Sequence, residues 1–504
     1  MIILDGYSLS IEDFIKVSRN FEKACLSQES IDRMNKSRSF IESAVNNREV
    51  VYGVTTGFGD LWDKFIEPEK TSELSHNIIK SHSTGVGEPF NEEIARGTML
   101  LRINTFAKGF SGIRLCVVEK LLELLNKRVY PYIPSQGSVG SSGDLAPLSH
   151  LSLVLLGEGE CILDSKRISS KIVLDKLNIE PVTLKSKEGL SLTNGTPVMT
   201  SIGCFTIYDA ENLIKHAQIA GAMCLEALRG VRTAFDEKVH MVRPHNGQMK
   251  VADNLRKLIK NSEILEKYKN LRIQDAYSVR CMPQVFGGMI DGMQYIRGVL
   301  TVEMNSATDN PLIFEKERQV ISGGNFHGEP IALVMDFLGI LLSEMANISE
   351  RLTDRLVHPG KSGLPPFLVR ESGLNSGFMI PQYTSASLVS ENKVLAHPAS
   401  VDSIPTSGNQ EDHVSMGTIA ARHAMEILKN TTNVIAIELM TAAQGLDFVD
   451  EKPGIGTTEA HKVIRKHVTF VEKDRIFYKD IDAIRDLINS RQIVDAVESV
   501  VNLD

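Results

Sequence analysis

The chain's 504 residues carry 55 lysines and arginines against 63 aspartates and glutamates, a net charge of −8 with no long basic run, which argues against a nucleic-acid partner. With 42% hydrophobic and 23% charged residues it has the make-up of an ordinary globular protein, and length alone suggests roughly three domains. Six cysteines scattered singly at 25, 116, 161, 204, 224 and 281 exclude a disulfide framework and zinc-type pairs, while the richest apolar run, Pro330 to Leu342, is too short for a membrane span and holds Asp336.

Met1 to Tyr7 leads into polar and acidic sequence before a signal-length apolar region develops, so the expectation is a cytoplasmic protein with reduced thiols. Residues 8 to 46 read as helices, with Ser10 a candidate cap ahead of Ile11, Phe14, Ile15 and Val17 at helical intervals. Val51 to Asp60 is β-prone and then broken by glycine, which predicts an irregular loop; its Gly57-Phe58-Gly59 is too common a pattern to mean nucleotide binding. Helical patterns resume from Thr71 to Lys80 and from Asn91 to Asn126. Order is least regular between Val129 and Thr193, where short strands are expected near Glu160 to Ile168. Beyond Pro197 long helical patterns follow one another: Ser201 to Arg229, Gly288 to Met304, Pro330 to Val357, Thr384 to Leu395 and Ser415 to Leu446. In the third, Ile331, Val334, Met335, Leu338, Leu341, Leu342 and Met345 recur at three and four residues, a stripe broad enough for the spine of a bundle. Glu459 to Asp504 reads as peripheral amphipathic helix, and His240 and His245 as loop residues rather than ligands. The prediction is a mainly α protein: an irregular N-terminal domain, residues 1–197, followed by a long helical-bundle domain, residues 198–504.

The stretch Gln136-Gly-Ser-Val-Gly-Ser-Ser-Gly-Asp-Leu-Ala-Pro-Leu-Ser-His150 is either a tight loop or a reactive one. Glycines at 137, 140 and 143 free the backbone, and Pro147 blocks helical hydrogen bonding just beyond them. The reactive reading is specific. The Gly143 amide nitrogen could close onto the Ser141 carbonyl carbon; loss of water there, and of the Ser142 hydroxyl as a second water, would leave an exocyclic methylene, a strong electrophile. As a phosphate-binding loop the stretch lacks the Gly-Lys-Ser/Thr ending and a clear preceding strand.

At these residues the chain resembles the histidine and aromatic amino-acid ammonia-lyase family, whose prosthetic group, methylidene-imidazolone (MIO), forms from an internal tripeptide. The resemblance implies MIO from Ser141-Ser142-Gly143 with no external cofactor and no metal. The family's usual tripeptide is Ala-Ser-Gly; the first residue contributes only its carbonyl, so Ser141 leaves cyclisation possible. Other segments carry the match across most of the chain. The family's catalytic tyrosine maps to Tyr52, and a phenol acts as a base only if its surroundings stabilise the phenolate. Gln274-Asp-Ala-Tyr-Ser-Val-Arg280-Cys-Met-Pro-Gln284 is similar to the family's carboxylate-binding segment. There Arg280 offers a planar fork to a carboxylate, with Gln274 and Tyr277 beside it. Asn194, in Thr193-Asn-Gly-Thr196, matches the residue beside the electrophile; Pro197 stands where the family's histidine lyases usually have Gln. Phe326 would face ring and substrate. Taken singly, each has an ordinary alternative: a packed tyrosine, a surface ion pair, an Asn-Gly turn, a core aromatic.

Selectivity in the family is associated with a residue pair before a Gly-x-Gly, which here is Ser81-His82, the arrangement of its histidine-specific members. A neutral imidazole at His82 can donate to or accept from a substrate imidazole. Glu411, within Asn409-Gln-Glu-Asp-His413, adds a carboxylate that suits a nitrogenous ring and would be left uncompensated against a phenyl. Together they point to L-histidine, converted to trans-urocanate and ammonia. A tyrosine or phenylalanine lyase or a 2,3-aminomutase is the alternative, as is a scaffold that kept the fold and lost the ring. By resemblance the protein is a homotetramer whose sites draw on more than one subunit. Its small-molecule partner is an amino acid, with no membrane or nucleic acid involved.

Overall fold

The computed structural model describes residues 1–504, of which 60% are helical and 7% lie in strands, so the chain is mainly α as expected. It forms two compact units. The first comprises Met1–Phe205, Arg297–Asp336 and Pro398–Arg422, the second Thr206–Ile296, Phe337–His397 and His423–Asp504. Pro197, where the sequence reading divides the chain, is the first residue of the helix α9 (Pro197–Ala227).

In the first unit Ser10 caps α1 (Ile11–Ser18), its hydroxyl accepting from the Asp13 amide at 3.1 Å. A parallel pair, β1 (Ile2–Leu4) and β2 (Ala24–Leu26), flanks α1, and α2 (Gln28–Asn46) follows. Three-residue strands are too short to show a period, and neither was foreseen. After the irregular segment at 51–58 comes α3 (Thr71–His82). The stretch expected to be helical over 91–126 is two helices, α4 (Glu92–Ala107) and α5 (Leu115–Asn126), parted by the Gly109-Phe-Ser-Gly112 turn. Every residue of α4 from Ile94 to Ala107 is buried, including two arginines. Arg96 donates to the carbonyls of Val17, Ser18 and Leu125, closing the C-terminal ends of α1 and α5. β3 (Val86–Pro89) precedes α4, and the irregular region contains β4 (Tyr130–Pro131), β5 (Pro134–Gln136), β6 (Glu160–Leu163) and β7 (Lys166–Ser169). β3 pairs with β5, and β6 and β7, where short strands were expected, form a hairpin beside β4. Its helices are α6 (Leu145–Leu155), α7 (Ser170–Leu177) and α8 (Glu188–Thr193).

The second unit opens with α9 beyond Phe205, then α10 (Glu237–Met241), α11 (Asn246–Leu258), α12 (Glu263–Lys267), α13 (Tyr277–Arg280) and α14 (Met282–Met304), the last closing in the first unit. The first unit adds the hairpin β8 (Leu312–Phe314) and β9 (Gln319–Ile321). α15 (Glu329–Val357) buries the stripe read from the sequence; it is long and apolar enough to cross a membrane, but 67% of its apolar window is buried within the protein. Then come α16 (Pro359–Ser362), α17 (Met379–Leu395) and α18 (Gly417–Leu446). The C-terminal segment, read as amphipathic helix, is three helices, α19 (Ile455–His467), α20 (Phe477–Asn489) and α21 (Gln492–Glu498), whose apolar residues Ile464, Ile484, Ile493 and Val497 are buried. One expectation needs correction: His240 is no loop residue but is buried in α10, Nε2 lying 3.2 Å from the Ala234 carbonyl and Nδ1 3.0 Å from the Gln248 amide.

Candidate active site

β5 delivers the chain into the glycine-rich loop, so a short strand does precede it, contrary to the sequence reading. Gly143 has φ +78°, and a Cβ built there would lie 1.9 Å from the Gly195 carbonyl oxygen, so no other residue fits. The close approach is a two-way backbone contact. The Gly195 amide donates to the Ser142 carbonyl at 3.0 Å, and the Asp144 amide donates to the Gly195 carbonyl at 2.7 Å. Asp144 stands at the start of α6, yet its carboxylate serves another helix: Oδ2 accepts from the amides of Val198 and Met199 at 2.8 and 3.1 Å, satisfying the first turn of α9. Oδ1 accepts from the Thr418 hydroxyl at 2.6 Å. Burial pushes this carboxyl up to about 6 against the lowering effect of those bonds. Pro197, where the family's histidine lyases usually have Gln, takes the first helical position of α9, which has no amide hydrogen to satisfy.

Beside the loop is a cavity of about 880 Å³ within the first unit, lined by Tyr52, His82, Ser141, Ser142, Asn194, Phe326 and Glu411 among others. Gly143 underlies it as the neighbour of Ser142. The Ser142 hydroxyl donates to Glu411 Oε1 at 3.2 Å, and Glu411 Oε2 accepts from the Thr406 hydroxyl at 2.9 Å. His82 ends α3, with Nδ1 3.0 Å from the Ser81 hydroxyl. Burial holds its pKa below the ordinary imidazole value, with the Glu411 carboxylate opposing, so the ring is neutral at neutral pH. The Tyr52 oxygen accepts from the Gly59 amide at 3.1 Å. Asn194 follows α8 and is 3% exposed; its Nδ2 donates to the Asn310 carbonyl at 3.2 Å, while Oδ1 has no partner. Phe326 is half-buried on the turn between β9 and α15.

Gln274, Tyr277 and Arg280 belong to the second unit, and none of them lines the cavity. They form a cluster of their own. Arg280 donates to Gln274 Oε1 at 2.9 Å and lies 4.7 Å from the centre of the Tyr277 ring, which is 72% exposed. Several lining residues had no role in the sequence reading: Trp62, Asn310, His327 and His413. Asp144 and Gly195 stand within quoted motifs, Gly-Asp-Leu and Asn-Gly-Thr, but their partners are 54 residues apart in one case, and short-range spacing carries no sign of that.

A sequence profile of the family described as aromatic amino acid lyase matches residues 9–466. The chain is 54% identical over 503 residues to the histidine ammonia-lyase of Alkaliphilus oremlandii, covering 100% of this chain and 99% of that protein. It is 53% identical over 498 residues to the histidine ammonia-lyase of Caldanaerobacter subterraneus subsp. tengcongensis, covering 99% and 98%. Among solved structures it is similar to histidine ammonia-lyase from Trypanosoma cruzi, with a TM-score of 0.93, 43% identity and coverage of 99% and 95%. It is also similar to the tyrosine aminomutase of Streptomyces globisporus, with a TM-score of 0.94, 36% identity and coverage of 100% and 99%. With a family match over almost its whole length, and a glycine-paired Ser-Ser-Gly loop facing a cavity, the chain belongs to the aromatic amino acid lyase family.

Proposed function

We propose that this chain is a histidine ammonia-lyase, a carbon–nitrogen lyase that eliminates ammonia from L-histidine to give trans-urocanate. One observation carries the choice of histidine: the Glu411 carboxylate, 3.2 Å from the Ser142 hydroxyl, lies in the cavity that His82 also lines. A carboxylate and a neutral imidazole suit a substrate ring able both to donate and to accept, whereas a phenyl ring would leave the charge unanswered.

Ser141-Ser142-Gly143 fits the precursor of methylidene-imidazolone. Gly143 has no room for a side chain, the Gly195 amide addresses the carbonyl that becomes the ring oxygen, and the Asn194 Oδ1 is unpartnered. Once formed, that ring supplies an electrophilic exocyclic carbon, which gives a poor leaving group a way to depart; no external cofactor or metal is needed. Tyr52, its oxygen held by the Gly59 amide, removes the β-proton. His82 and Glu411 engage the imidazole, Asn194 holds polar groups beside the loop, and Phe326 packs on ring and substrate. Arg280, with Gln274 and Tyr277, binds the substrate carboxylate. The exposure of Tyr277 supports a clamp offered to the cavity of another subunit in a cytoplasmic homotetramer.

Incubation with histidine, tyrosine and phenylalanine in turn tests the reading. Urocanate from histidine, with little product from the others, is expected; a β-amino acid product would make the protein an aminomutase and overturn it. The intact chain should weigh two waters less than its encoded mass.

A further inference from the structure

Arg102 on α4 has no exposed surface. Its Nη2 donates to the Ser191 carbonyl, and its guanidinium carbon lies 4.5 Å from the centre of the Phe106 ring. Nε and Nη1, by contrast, have no hydrogen-bond partner. Buried donors left in this state are costly, so their retention calls for a reason. Nη1 is pressed against Gly195, where a Cβ would lie 2.8 Å from it, and Gly195 is the residue whose amide donates to the Ser142 carbonyl.

Neither nearby acid is hydrogen-bonded to this cation. Asp309 is engaged by Lys187 Nζ at 3.0 Å, both side chains being fully buried. Asp144, the other acid acting on Arg102, is turned to the Val198 and Met199 amides and the Thr418 hydroxyl. Burial lowers Arg102 itself only to about 10, so it is charged at neutral pH.

We infer that Arg102 is a positioning residue for the reaction: its cation, packed against Gly195, favours negative charge on the Ser142 carbonyl oxygen when a nucleophile adds to the exocyclic carbon. The inference rests on the reading that Ser141-Ser142-Gly143 cyclises. In that addition a bond forms to the exocyclic carbon, the π pair moves through the conjugated system onto the Ser142 oxygen, and a solvent proton completes the adduct. A fixed charge in a dry interior acts on such a change far more strongly than the same charge in water.

Cyanide provides a probe that needs no substrate pocket. The measurement is the rate at which intact protein gains the mass of one hydrogen cyanide, compared among the parent, Arg102→Met, Arg102→Gln and Arg102→Lys. Gln keeps a donor for the Ser191 carbonyl without the charge; Lys keeps the charge without the fork. We expect both neutral variants that carry the ring to take up cyanide about tenfold more slowly, less than the loss of a direct oxyanion donor would cost. Arg102→Lys should stay within about threefold of the parent. A purely structural role would not sort the variants by charge. A neutral variant arrested one water below the encoded mass also supports the inference, since loss of the Ser142 hydroxyl passes charge to the same oxygen. Parent-like uptake in a folded neutral variant, equal slowing in Arg102→Lys, or a folded neutral variant at its full encoded mass would overturn it. If the parent itself has its full encoded mass, the cyclisation reading falls, and this inference falls with it.

Discussion

At Gly143 the backbone of residue 195 occupies the space a side chain would need. Gly143→Ala is expected to yield a chain that never sheds two waters and is less stable by about 1–3 kcal/mol from overpacking alone, as intact mass and thermal unfolding would report. Ser142→Ala keeps the shape of the loop but removes the hydroxyl that must leave. Turnover should fall by more than about a thousandfold with an unchanged melting temperature, while Ser141→Ala should retain most activity because only its carbonyl takes part. Glu411→Gln keeps the size of the side chain and one accepting oxygen and discards the charge. Its expected signature is a drop of at least about tenfold in kcat/KM for histidine relative to tyrosine, and an unchanged ratio would remove Glu411 from substrate selection. The tripeptide was legible because the chemistry demands those residue types in an unusual order; Tyr52, His82, Asn194, Phe326 and Glu411 were singled out through the family resemblance, and Trp62, Asn310, His327 and His413 were not. Arg102 was not: nothing in Leu-Arg-Ile distinguishes an arginine on a helix buried on every side from one on a helix surface.

Asp144 illustrates how elements, rather than single residues, hold the loop. An acid at the head of a helix is ordinarily read as that helix's own cap, yet this one makes no capping bond to α6 and closes the first turn of α9. Asp144→Asn replaces an acceptor of two amides with a group that also donates, and should cost roughly 1–2 kcal/mol, visible as a lower melting temperature. Helices with a one-sided or long apolar pattern, such as α3, α15 and α18, were read near their true bounds, and α1 at its start. The failures have physical causes. β1, β2 and β5 are too short to display a period, and a turn in the middle of an otherwise helical composition hid the division between α4 and α5. In the C-terminal segment the amphipathic character was read, but not its division into three helices.

For the whole molecule, pH and assembly give the sharpest expectations. Glu438 is buried on α18, receiving bonds from the Ser349 hydroxyl and the Cys224 thiol, and burial pushes its carboxyl up to about 8. The folded chain thus keeps a proton that the unfolded chain releases near the ordinary carboxyl value. Stability from this group is full in acid, declines as pH rises towards about 8, and levels off beyond. Glu438→Gln should melt close to the parent near about pH 5 and above it near about pH 9. If the carboxylate clamp of one subunit serves the cavity of another, Arg280→Met and Ser142→Ala chains, each inactive alone, should regain activity when co-expressed, because mixed assemblies contain some intact sites. The mainly α character was evident from composition and period; the grouping of distant segments into the first unit was not, since Arg297–Asp336 and Pro398–Arg422 join it across long intervals of sequence. The fastening of Asp144 to the head of α9 has a further bearing on biosynthesis. Residues 143 and 144 are bonded to residues 195, 198 and 199, so if the loop cyclises as proposed, a nascent chain has that loop fastened only after those later residues have been made. On that reading ripening follows enclosure, and the electrophile arises only within the walls that shield it.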